Sequence, residues 1–185
     1  PNNEALDDGH QSLTFKQLAY AVSAAALLLH SAGVRSGDRI AASLGNEANL
    51  IIAFFAAMRL GAVWVGINKI LPADDKRYIL DHSGTKLLLT DTTLRHQIES
   101  LREEIPALGL VWYLDSSNDD GGWAHALATK AAADAPKPDI DPFAPAAIMY
   151  TSGTTGVPKG VVHSQHNMVV VPAGEFAHGI LQPEA

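Results

Sequence analysis

The chain has 185 residues, 47% of them hydrophobic and 18% charged, so it can bury a core of domain size and is too apolar for extensive disorder. A formal net charge of −7 without a basic tract argues against a surface for nucleic-acid backbones. There is no cysteine, which excludes disulfides, thiolate metal sites and a catalytic thiol, and which accords with a cytoplasmic protein.

Residues 1–13 have neither the basic start nor the apolar stretch of a secretory signal. Thr14 is placed to cap a helix over FKQLAYAVSAAALLLHSA, whose apolar positions recur at helical spacing and which stops at Gly33. The run RIAASLG, short and bounded by turn residues, predicts a strand, after which Asn46 is expected to cap a second helix ending at Gly61. The apolar stretch Leu50 to Ile67 is long enough to suggest a membrane span, but Arg59 sits at its middle. It is therefore read as that helix followed by the buried strand AVWVGI, with Trp64 in the core.

PADDKRYILDHSG predicts a short helix entered at Pro72, with Asp74 and Asp75 as capping residues rather than a pair of catalytic acids. KLLLTD is then a strand, TLRHQIESLREEI an amphipathic helix, GLVWYL a strand and WAHALATKAAA a helix. His30, His82, His96 and His125 fall on these helices as surface or boundary residues. Strands apolar on both faces that alternate with helices predict a layered α/β fold, with a mainly parallel sheet flanked by helices on both faces. The expected organisation is an α/β subdomain over residues 1–133, a proline-rich connector over 134–145, and a strand, loop, strand and helix over 146–185.

The loop within that last segment, TSGTTGVPKG, is not a Walker phosphate loop. Five residues on from Gly153 stands Pro158, and Lys159 is followed by Gly160 rather than by a hydroxyl. Pro158 biases Val157 away from helical geometry, so the loop is expected to lead into a strand, GVVHS. Its chemistry nonetheless suits an anion. Gly153, Gly156 and Gly160 free backbone N–H groups to turn inward, Thr151, Ser152, Thr154 and Thr155 add hydroxyl donors, and Lys159 adds a cation. From these residues alone, a glycine-rich turn that satisfies its own hydroxyls is the more ordinary outcome.

The whole string Tyr150 to Gly160, YTSGTTGVPKG, resembles the AMP-binding signature of the adenylate-forming superfamily, which comprises acyl-CoA synthetases, peptide-synthetase adenylation domains and firefly luciferase. The run from Leu13 to Asp91 is similar to the amino-terminal region of these enzymes in its order of elements. The resemblance implies an amino-terminal portion of such an enzyme, inactive by itself, with ATP, Mg2+ and coenzyme A as cofactors and cosubstrates and a small-molecule carboxylic acid as partner. It implies that Thr151, Ser152, Gly153, Thr154, Thr155, Gly156, Lys159 and Gly160 line the β- and γ-phosphates. Lys159 is then the catalytic cation, acting by charge rather than by proton transfer.

Past the loop, the family pattern places a histidine where this chain has Gln165, which can hydrogen-bond but cannot titrate, whereas Ser164 and Asn167 match. His163 and His166 lack a visible third ligand and are read as polar capping groups, not as a metal site. Asn68 stands where acyl-CoA ligases often carry asparagine and peptide-synthetase domains aspartate, which tilts the expectation toward an acyl-CoA synthetase. The alternatives are an adenylation domain that loads an amino or aryl acid onto a carrier protein, and a nucleotide-binding module without chemistry.

Overall fold

The structure, a computed structural model, describes residues 2–115, 122–128, 136–152 and 157–177. Strands β1 (Glu4–Asp7) and β2 (Ser12–Thr14) form a small antiparallel hairpin. It leads directly into helix α1 (Phe15–Ser31). Thr14 closes a capping box: its Oγ1 accepts from the Gln17 N–H at 3.3 Å, and Gln17 Oε1 accepts from the Thr14 N–H at 2.8 Å. Gly33, with φ at 93°, makes the left-handed exit expected of it.

The body of the fold then alternates as the sequence predicts. In order come β3 (Arg39–Ser43), α2 (Ala48–Leu60), β4 (Val63–Gly66), α3 (Ala73–Ser83), β5 (Leu87–Thr90), a 3₁₀ turn at Thr92–Leu94, α4 (Arg95–Arg102), β6 (Leu110–Tyr113) and α5 (Trp123–Ala128). The connector reaches β7 (Pro145–Thr151), which is followed by β8 (Lys159–Ser164) and α6 (Gln165–Ala177). The expected extension of α5 beyond Ala128 lies outside the described residues.

Six strands form one sheet in the order β6-β5-β3-β4-β7-β8, parallel except for the last pair. Alternate residues of each strand face opposite layers, which is why the central strands read as continuous apolar runs. Ile40, Ala42, Trp64, Leu87, Leu89 and Ala147 pack beneath α1, α2 and Trp123 at the start of α5. Ala41, Val65 and Leu88 pack on the opposite face beneath α3 and α4, against Ile79, Leu80, Ile98 and Leu101. Trp64 is core, as expected, with its ring edge-on to Phe54 at 5.6 Å.

The stretch Leu50 to Ile67 comprises most of α2 and the buried strand β4, and Arg59 donates to Ser23 Oγ on α1 at 2.6 Å instead of facing lipid. Among the described residues, no helix is long and apolar enough to cross a membrane. Gly61 ends α2 at φ 68°, and a Cβ there would lie 2.8 Å from Ser36 Oγ, so both the turn and the close approach require glycine.

Two local expectations fail, both of them helix caps. Asn46 does not cap α2: Glu47 occupies the cap position without a side-chain bond, and the Ala48 N–H donates instead to Asp8 Oδ2 at 2.8 Å. Asp8 sits in the β1–β2 turn, where its other carboxylate oxygen accepts the His10 and Gln11 N–H groups at 2.9 Å each. A full negative charge meets both the free amides and the positive end of the helix, which a neutral amide would do less well. Asp74 and Asp75 likewise lie in the first turn of α3 but make no cap hydrogen bond.

The Ala48 amide first, then those of Gln11 and His10, lower the Asp8 carboxyl from its ordinary 3.8 to about 2. A depressed carboxyl contributes stability above its unfolded value and loses it as the pH falls through its folded one. The contribution is therefore present above about pH 3.8 and lost toward pH 2. In Asp8→Asn, denaturant unfolding followed from pH 5 to pH 2 should show a shallower acid loss than the native chain; an unchanged slope would refute the cap.

Candidate active site

The signature residues fall on a hairpin. β7 runs parallel to β4, with Gly66 beside Met149, and then turns back as β8, with Tyr150 opposite Gly160 and Thr151 opposite Lys159. The antiparallel return follows from Pro158 and from the branched residues Val161 and Val162, which favour extended backbone. Thr151, Ser152 and Lys159 are exposed at the hairpin's end. Lys159 makes no ion pair with a described residue. Gly153, Thr154, Thr155 and Gly156 lie outside the described residues. Two hydroxyls and one cation are thus brought together across a strand pair, a donor set suited to polyphosphate.

Gly160 is on this hairpin for a steric reason. A Cβ there would lie 2.8 Å from Ile148 Cγ2 and 3.2 Å from Tyr150 Cζ, because the Tyr150 ring crosses the glycine on the partner strand. The Tyr150 hydroxyl shares a 2.8 Å hydrogen bond with His82 Nδ1 on α3. Burial raises the Tyr150 phenol above its ordinary value, with a smaller contribution from Tyr78.

The hairpin's Thr151 and Lys159 end lies at the carboxyl edge of the parallel strands, along which strand order reverses: the chain passes from β3 to β4 on one side and then to β5 on the other. Such a switch point leaves a crevice, because the flanking connections diverge to opposite faces of the sheet. Here a cavity of about 550 Å³ is walled by Leu50, Phe54 and Trp64, with Asn46, Asn68 and Lys69 supplying polar groups. Asn68 spends its carboxamide oxygen locally, accepting the Ile70 N–H at 3.1 Å, so it shapes the segment that follows β4.

That segment is held from below by a group the sequence reading passed over. Lys76 is 1% exposed, and its ammonium donates to Lys69 O at 2.7 Å, Leu71 O at 2.9 Å and Gln97 Oε1 at 2.8 Å. All three of its protons have acceptors, which is the condition for burying such a group. Burial lowers it below the ordinary lysine value, the Asp91 charge opposes that, and Lys69 adds to it. Asp91 pairs with Lys69 at 2.6 Å. Burial works against the Asp91 charge, but Lys69 and Thr93 overcome it and hold the carboxyl below its ordinary value. The signal was available: Lys76, Ile79, Leu80 and Ser83 recur at i, i+3, i+4 and i+7, the buried stripe of α3.

After β8, Ser164 caps α6, its Oγ accepting from the Asn167 N–H at 3.1 Å and donating to Asn167 Oδ1 at 2.5 Å. Gln165 turns away from the hairpin's end and donates to Met58 O at 2.9 Å, near the carboxyl end of α2. Its amide therefore locks α6 to α2. The His166 ring rests against Phe143 at 4.5 Å, and the His166 main-chain N–H donates to Pro142 O at 2.9 Å. Among the described residues, no three histidine or acidic side chains gather as a metal site.

If the Tyr150 ring requires the space above residue 160, Gly160→Ala should destabilise the fold by about 1–3 kcal/mol, the range for forcing a methyl group into packed surroundings. Denaturant unfolding measures it, and an unchanged midpoint would show that the hairpin yields freely.

Comparison with known proteins agrees with this geometry. Residues 1–177 match the family described as AMP-binding enzyme. The chain is 35% identical over 167 residues to malpibaldin synthetase of Mortierella alpina, covering 88% of this chain and 3% of that protein. It is 34% identical over 171 residues to a long-chain-fatty-acid–CoA ligase of Mycobacterium tuberculosis, covering 91% of this chain and 32% of the ligase. The chain thus spans about a third of the ligase's length and a small part of the synthetase's. Among solved structures, the anthranilate–CoA ligase in complex with anthranoyl-AMP superposes with a TM-score of 0.78 at 25% identity, covering 89% of this chain and 31% of that one. With a family match across almost its whole length, and with the signature hairpin at the carboxyl edge of a layered α/β sheet, the chain belongs to the AMP-binding family of adenylate-forming enzymes.

Proposed function

We propose that the protein carrying this chain is an acyl-CoA synthetase. It activates a carboxylic acid with ATP and passes the acyl group to coenzyme A. The observation that carries this reading is the hairpin, where Thr151 and Lys159 face each other across β7 and β8 with Ser152 beside them. The carboxylate oxygen attacks the α-phosphorus, the bond to the β-phosphate bridge breaks, and pyrophosphate leaves with its electrons. The thiol of coenzyme A then loses its proton as its sulfur attacks the acyl carbon, and AMP departs.

Negative charge grows on the departing polyphosphate, and that is where this chain contributes. The Lys159 ammonium balances the charge, while Thr151 and Ser152, together with Gly153, Thr154, Thr155, Gly156 and Gly160 of the signature, bind and orient the β- and γ-phosphates. Magnesium accompanies the nucleotide and supplies further charge balance; no residue of this chain is assigned to it. The ligase and anthranoyl-AMP relatives support coenzyme A as acceptor. The similarity to malpibaldin synthetase supports a second reading, in which an activated amino or aryl acid is loaded onto a carrier protein.

The deciding measurement is AMP release by the full-length protein with Mg-ATP and a panel of fatty, aryl and amino acids, with and without coenzyme A. AMP that depends on a fatty or other organic acid and rises with coenzyme A is the expected result. Pyrophosphate exchange with an amino or aryl acid that is indifferent to coenzyme A would move the protein to the carrier-loading branch. Lys159→Ala should lower kcat/KM for Mg-ATP about a hundredfold or more, the scale for removing one group that meets transition-state charge. An unchanged value would remove Lys159 from the site.

A further inference from the structure

We propose that His82 is a positioning residue for the signature hairpin, holding Tyr150 so that Thr151 and Lys159 meet the polyphosphate in register; the proposal rests on the polyphosphate reading of that hairpin. Three observations converge on this pair. His82 and Tyr150 share a hydrogen bond of 2.8 Å although 68 residues separate them. The His82 ring lies stacked on Tyr78, one turn earlier on α3, at 5.2 Å and 19° between planes, and both rings meet Tyr150 edge-on, at 5.9 and 6.5 Å. The partner strand leaves Gly160 opposite Tyr150, where a side chain would displace that ring.

Tyr150 is the last residue before the paired hydroxyl and cation, so a tilt of its ring is transmitted through one peptide to Thr151 and across the ladder to Lys159. β7 is braced on one side by β4 only as far as Met149, which pairs with Gly66. Beyond that point, the anchors of this strand end are β8 and the bond to α3. α3 is itself fixed by the buried Lys76, so the hydrogen bond ties the Thr151 and Lys159 end of the hairpin to a rigid support. His82 is exposed and meets Tyr150 and Tyr78, so its effect is on geometry rather than on charge at the phosphates.

The test uses the full-length protein and ATP–pyrophosphate exchange. Tyr150→Phe and His82→Phe keep the rings and delete only the hydrogen bond. Each should raise KM for Mg-ATP about three- to tenfold, the range one net hydrogen bond supplies, while KM for the acid and the unfolding midpoint change little. The double variant should lose no more than either single one, and His82→Asn, which keeps a polar atom near the position of Nδ1, should recover most of the loss. Additive losses, or equal changes in both KM values, would overturn the positioning role. Lys159→Ala separates the two levels: if it weakens Mg-ATP use while the His82 and Tyr150 variants do not, the positioning role fails and the polyphosphate reading stands. If Lys159→Ala has no effect, both fail.

Discussion

The candidate site depends first on the parallel pairing of β4 with β7. Trp64, Val65 and Gly66 align with Ala147, Ile148 and Met149, so two segments more than eighty positions apart end at the same edge of the sheet. A parallel pair cannot be closed by a tight turn, and the chain between them supplies the crossover with α3, β5, α4, β6 and α5. Once β7 is seated there, the antiparallel return of β8 places Lys159 across from Thr151 without any further long-range contact. A slip of one residue in the β4–β7 register would turn Ala147 away from the core and swing Tyr150 from α3 to the opposite face.

The same edge shows how the fold handles buried charge. Lys76 would be untenable beneath a sheet without acceptors, yet its three protons meet two main-chain carbonyls and one side-chain amide. Those carbonyls belong to the segment after β4, so the ammonium acts as a pin for the wall of the cavity. Lys69 and Asp91 form the adjoining ion pair. The charge that remains without an ion-pair partner among the described residues of the signature segment is Lys159, at the exposed end of the hairpin. The molecule thus neutralises or satisfies these internal cations and leaves Lys159 exposed at the hairpin's end, as the proposed polyphosphate contact requires.

The helices and strands were largely legible because each depends on neighbours within a turn or two. The Thr14 box, the Gly33 and Gly61 exits, the doubly apolar strands and the strand after Pro158 are all local consequences of propensity and period. The Asn46 cap failed because a stronger acceptor, Asp8, arrives from 40 positions away in the hairpin turn. Gln165 illustrates the limit differently: the residue type permits a hydrogen bond, but only the packing of α6 on α2 directs it to Met58 O. His82 read correctly as a surface residue, and nothing within its own helix could have linked it to Tyr150.

By itself, then, the sequence determined the alternation of elements, the layered α/β class and the signature whose hydroxyls and lysine suit a polyphosphate. Periodicity and capping act over a few residues, and a signature is a contiguous string, so both survive in one dimension. Only the tertiary structure decided which strand neighbours which, which acceptors surround Lys76, which carboxylate caps α2 and which ring braces Tyr150. Those outcomes depend on contacts between distant segments, whose closure entropy is recovered only when the whole core forms together.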